Sequence, residues 1–61
     1  MNTYTIENWS KGTVIKISAL GWNIENYQHT FYKDDKGKII TQSYSTRYWD
    51  ITNIKYETSD N

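Results

Sequence analysis

Sixty-one residues with seven basic and seven acidic side chains, no cysteine, no proline and three glycines leave room for one domain and little machinery. A chain of this length buries only about 60% of the surface its unfolded form exposes, which excludes a second domain and makes the core thin. Without cysteine there is no disulfide framework, thiolate zinc site, redox couple or cysteine nucleophile, and a reducing cytoplasm is the compartment that fits.

The hydrophobic fraction is 36%, but eight isoleucines, six tyrosines, three tryptophans and one phenylalanine supply most of it. Each aromatic can remove about 150 to 250 Å² from water, enough for one thin core, and such a composition is the opposite of a disordered chain's. Ile, Lys, Asn and Tyr abound while Ala, Pro and Arg are scarce. A/T-rich codons produce that skew, which fits a low-GC bacterium or one of its phages. Met1 to Ile6 lack the basic head and apolar run of a signal peptide, and no stretch approaches the ~20 apolar residues that span a bilayer.

Tyr4 and Ile6 alternate with Thr3, Thr5 and Glu7, which predicts a half-buried strand over residues 3 to 8. Asn8-Trp9-Ser10 formally matches a glycosylation acceptor, a pattern of low specificity. Ser10-Lys11-Gly12 predicts a turn in which Gly12 supplies positive φ. A second strand over 13 to 19 sets Ile15, Ile17 and Ala19 against Val14, Lys16 and Ser18, completing a hairpin. Leu20, Trp22 and Ile24 could prolong it, with a bend at Gly21 marking a bulge or close backbone approach.

Asn23 to Asn26 is the next expected turn, after which Tyr27, His29 and Phe31 alternate with Gln28, Thr30 and Tyr32. Asp34-Asp35-Lys36-Gly37 predicts a type I turn closed by glycine, followed by a strand from Lys38 to about Ser45. Pairing Lys33 with Lys38 would set Phe31 opposite Ile40 and Tyr27 opposite Tyr44, gathering the apolar side chains on one face. A bulge at Gly37 would instead bring Tyr32 opposite Ile40, and the sequence leaves both open. Tyr48 to Glu57 reads as a last strand, apolar on parts of both faces, with a bulge near Asp50, and the polar tail 58–61 reads as frayed. The sum is an all-β domain: an antiparallel meander of four or five strands, open or partly rolled into a barrel.

Motifs for chemistry are scarce. His29 is the single histidine, either a general base or ligand, or a half-exposed strand residue among aromatics. No further His, Cys or carboxylate cluster accompanies it to hold a metal. Asp34 and Asp35 read as turn residues, because acid–base work needs carboxylates converging on one bond. Three isolated glycines build no phosphate-cradling loop. Neither enzyme chemistry nor a cofactor is expected.

Aromatics on a small sheet can stack bases, and Tyr27, Phe31 and Tyr44 with Lys33 and Arg47 form a candidate platform for single-stranded nucleic acid. The net charge of zero offers no basic stripe to neutralise phosphates, so such binding is expected to be weak. The alternative is that those aromatics are core. Ten aromatics are more than so small a core can hold, and exposed Tyr, Trp and Arg dominate binding energy at protein interfaces. Arg47, Tyr48 and Trp49 form the leading candidate cluster, with Trp22 and Tyr44 next, although a buried Trp49 covered by the Arg47 stem is an equal reading. The expectation is a non-enzymatic, self-associating module that binds a larger protein, in phage form an inhibitor masking a host enzyme or defence protein in the host cytoplasm.

Overall fold

The computed structural model describes residues 1–57; the expected fraying of 58–61 lies outside them. The described residues form six strands and no helix: β1 (Asn2–Asn8), β2 (Thr13–Ala19), β3 (Gly21–Glu25), β4 (Gln28–Asp35), β5 (Lys38–Ser45) and β6 (Trp49–Lys55). They make two three-stranded antiparallel sheets, ordered β2-β1-β6 and β3-β4-β5, open rather than closed into a barrel.

The all-β expectation holds, with six strands instead of four or five. The extra strand arises at Leu20, where the chain leaves β2 and enters the second sheet as β3, with the Leu20 N–H donating to the Tyr32 carbonyl at 2.7 Å. Gly21 does not mark a close approach, since a Cβ there would meet nothing within 4 Å. The meander is also only partial: β3, β4 and β5 follow one another, but β6 returns to β1. That return gives β1 a neighbour on each side, and β4 likewise sits between β3 and β5.

Burial follows from this placement. The core consists of Tyr4 and Ile6 from β1, Ile17 and Ala19 from β2, and Phe31 from β4, with Ile15, Trp22, Tyr44, Trp49, Ile51 and Ile54 packed around it. Ile6 and Phe31 are fully buried, each contributing about 1.5 to 3 kcal/mol of apolar transfer. Tyr4 meets Phe31 edge-on at a centroid distance of 5.2 Å, a favoured aromatic geometry that links the two sheets.

The β6 segment explains its own ambiguous pattern. Ile51 pairs with Ile6, but Asn53 pairs with Thr5, so Thr52 is the extra residue of a bulge, two positions beyond the expected Asp50. The Thr52 hydroxyl donates to the Thr5 carbonyl at 3.3 Å. The bulge shifts the alternation by one, so Trp49, Ile51 and Ile54 all lie half-buried against the core.

Both later hairpins turn more tightly than expected. Glu25 pairs with Gln28 and Asp35 with Lys38, leaving two-residue turns at Asn26-Tyr27 and Lys36-Gly37. All four turn residues have positive φ, the type I′ form whose twist matches that of the strands it joins. The turn expected at Asn23 to Asn26 is therefore later and shorter, and Tyr27 is a turn residue, not a strand residue. The type I turn expected at Asp34 to Gly37 is likewise replaced. In consequence neither expected register occurs: Phe31 faces Gln42, Lys33 faces Ile40 and His29 faces Tyr44. The observed pairing differs from the Lys33–Lys38 alignment by an even step, which preserves the faces, so His29, Phe31 and Tyr44 still share one side.

Candidate functional site

The expected site residues separate into two environments. Trp22, Tyr44 and Trp49 are half-buried and flank the core. Tyr44 meets Phe31 at 6.0 Å and Trp49 at 5.2 Å, both edge-on, and Trp22 lies 6.5 Å from Tyr4. Arg47 and Tyr48 are exposed in the loop between β5 and β6. Sequence adjacency therefore does not make Arg47, Tyr48 and Trp49 one exposed surface, because β6 begins at Trp49 and turns its ring inward.

His29 belongs with the inner group. It is 7% exposed, where a half-exposed position was expected, because the second sheet carries it onto the core-facing side of β4. The Trp22 indole N–H donates to its Nδ1 at 3.2 Å, and its Nε2 lies 2.8 Å from the Trp49 carbonyl. An accepting Nδ1 requires the proton on Nε2, so a neutral ring donates to that carbonyl and both nitrogens are satisfied. The ring also stacks on Trp22 at 5.9 Å. His29 thus ties β4 to β3 and β6.

The outer group is larger than the sequence indicated. The Trp9 backbone N–H donates to the Tyr48 carbonyl at 3.0 Å, and its indole Nε1–H donates to the Arg47 carbonyl at 2.8 Å. Its ring lies 6.2 Å from that of Tyr48, and 61% of the residue stays exposed. Asn8 builds the loop that presents it: its buried side-chain oxygen accepts the N–H groups of Ser10 and Lys11 at 3.0 Å, and its carbonyl accepts that of Gly12, whose φ is +74°.

On its other flank the 46–48 loop holds Tyr27. The Thr46 N–H and hydroxyl both donate to the Tyr27 carbonyl, at 3.0 and 2.9 Å. Tyr27 sits at φ +60° with 86% of its surface exposed. Bulky residues rarely adopt this left-handed conformation, which costs of order 1 to 2 kcal/mol; glycine is the usual residue at the second position of a type I′ turn. The 46–48 loop is thus bound by Trp9 on one flank and by the Tyr27 main chain on the other, and Trp9, Tyr27, Arg47 and Tyr48 are all exposed. Trp9 was missed by sequence reasoning, and Tyr27 was singled out only as part of a base-stacking platform on a strand. The available signals were a tryptophan in a hairpin loop and a tyrosine directly after asparagine where the turn favours glycine.

The candidate base-stacking platform is not assembled. Phe31 is fully buried, Tyr44 is half-buried, and Tyr27 stands apart on its turn. Among the described residues there is no pocket, no group of three potential metal ligands, and no helix long and apolar enough to cross a membrane. One exposed polar contact stands out: the Tyr32 hydroxyl donates to the Glu25 carboxylate. That hydrogen bond first, then burial and the Glu25 charge, raise the Tyr32 phenol above its ordinary range. Comparison with protein-family models, curated proteins and solved structures finds no match to this chain.

Proposed function

We propose that the chain is a non-enzymatic binding module that covers a surface of a larger protein with the end formed by Trp9, Tyr27, Arg47 and Tyr48. The observation that carries this reading is Tyr27: a tyrosine exposed at φ +60° brings the fold strain and no core contact, which makes sense when its ring serves something outside the chain. Trp9 and Tyr48 add two aromatics fixed by main-chain hydrogen bonds, and rigid exposed aromatics beside an arginine are the side chains on which interface energy concentrates. The A/T-rich composition fits a phage origin, for which masking a host enzyme or defence protein in the cytoplasm is the natural form of the activity. Masking needs only a shaped, adhesive surface.

The test is affinity capture from a bacterial lysate treated with nuclease, comparing the natural chain with folded Trp9→Ala and Tyr27→Gly variants. A protein retained by the natural chain and lost by both variants supports the reading. Retention that depends on intact nucleic acid, or that neither variant changes, refutes it.

A further inference from the structure

Among the described residues four strands lie at sheet edges: β2 and β6 in one sheet, β3 and β5 in the other. An uncovered edge presents unpaired N–H and C=O groups to any strand that fits, and proteins guard edges with short length, bulges, charge or proline. Three of the four carry such a guard. β2 has Lys16 at its midpoint, so antiparallel pairing on a second copy about that point would set lysine against lysine. β3 has only five residues and ends at Glu25. β6 is broken by the Thr52 bulge and carries Asp50 and Lys55.

β5 has only a terminal charge, Lys38. It runs eight residues in unbroken register with β4, and from Ile39 to Ser45 it holds no charge. Lys38 to Ser43 are exposed, Ile39 at 61% and Ile40 at 44%. The two-residue turn makes Asp35–Lys38 a hydrogen-bonded pair, so Lys38, Ile40, Gln42 and Tyr44 direct their main-chain groups to β4. Ile39, Thr41 and Ser43 direct theirs outward.

We propose that the β5 edge is a self-pairing surface whose partner is β5 of a second copy of this chain, joined antiparallel about a two-fold axis at Thr41. The charges favour this occupant. Each copy contributes one lysine to the joint, Lys38, and antiparallel pairing separates the two by about six residues, or ~20 Å, well beyond the ~8 to 10 Å over which exposed charges interact at physiological salt. Thr41 then faces Thr41 of the second copy, Ile39 faces Ser43, Ile40 faces Gln42 and Lys38 faces Tyr44, with no like charges opposed. Because each copy offers the same strand, the contact closes on itself as a dimer and does not propagate. The paired residues, Lys38 to Tyr44, do not include Trp9, Tyr27, Arg47 or Tyr48, and dimerisation is read by a different measurement from lysate capture.

The test combines sedimentation equilibrium with backbone amide exchange on the full chain. The natural chain is expected to reach twice its monomer mass between micromolar and millimolar concentration, with the Ile39, Thr41 and Ser43 amides becoming protected as concentration rises while the β2 amides do not. Thr41→Pro removes an outward N–H that β4 does not use, and Thr41→Lys opposes two like charges on the axis; each is expected to weaken dimerisation about tenfold or more. A monomer throughout that range, protection at β2 in place of β5, or dimers unaffected by both substitutions would overturn the proposal. If a variant fails to fold, the exchange pattern of the natural chain decides.

Discussion

The inner and outer aromatics of this protein are made of the same residue types and differ in what they cost. Tyr4, Trp22, Phe31, Tyr44 and Trp49 pack on one another between the sheets, so their burial contributes to folding. Trp9, Tyr27 and Tyr48 keep much of their surface in water, and Tyr27 adds backbone strain. The first group therefore lies on the link from sequence to stability, and the second is the group to which the proposed binding role is assigned.

Substitutions at the two ends of this contrast should separate by size and sign. Phe31→Ala removes a fully buried ring from the centre of the core and is expected to cost about 3 to 5 kcal/mol, enough to leave the chain largely unfolded by circular dichroism. Trp49→Ala loses a half-buried ring against Tyr44 and should cost about 2 kcal/mol in urea denaturation, identifying Trp49 as a core residue instead of a surface anchor. A variant as stable as the natural chain would return Trp49 to the outer group.

Tyr27→Gly should act in the opposite direction. Glycine takes φ +60° without strain, and the variant is expected to gain about 1 kcal/mol of stability by the same denaturation measurement. A loss of stability would mean that the Tyr27 ring supports the fold. The smallest effect concerns Tyr32, whose phenol is raised above its ordinary value by Glu25. Because the folded pKa is the higher one, the associated stability is present below the unfolded value and is lost as pH rises through the folded value. Glu25→Gln should lower the pH at which Tyr32 ionises, which an ultraviolet titration of the two chains compares.

The sequence carried the inner group better than the outer one. Alternation in residues 3 to 8 and 13 to 19 is set by burial on one side of each strand, so Tyr4, Ile6, Ile17 and Ala19 were legible as one face. The Thr52 bulge was less so, because an inserted residue disrupts the periodicity used to detect a strand. The return of β6 to β1 depends on contacts between segments some 45 residues apart, which local pattern does not encode. Tyr27 was misplaced for a different reason: local preference argues against a tyrosine in a left-handed turn, and the fold overrides it there. Conflicts of that kind are where function is expected to sit.

The most direct test of the central division is made on one preparation of Tyr27→Gly, by quantifying the nuclease-resistant protein it captures from lysate alongside its unfolding midpoint. The expected result is a midpoint at or above that of the natural chain together with loss of the captured protein. Capture undiminished in a folded Tyr27→Gly variant would contradict it.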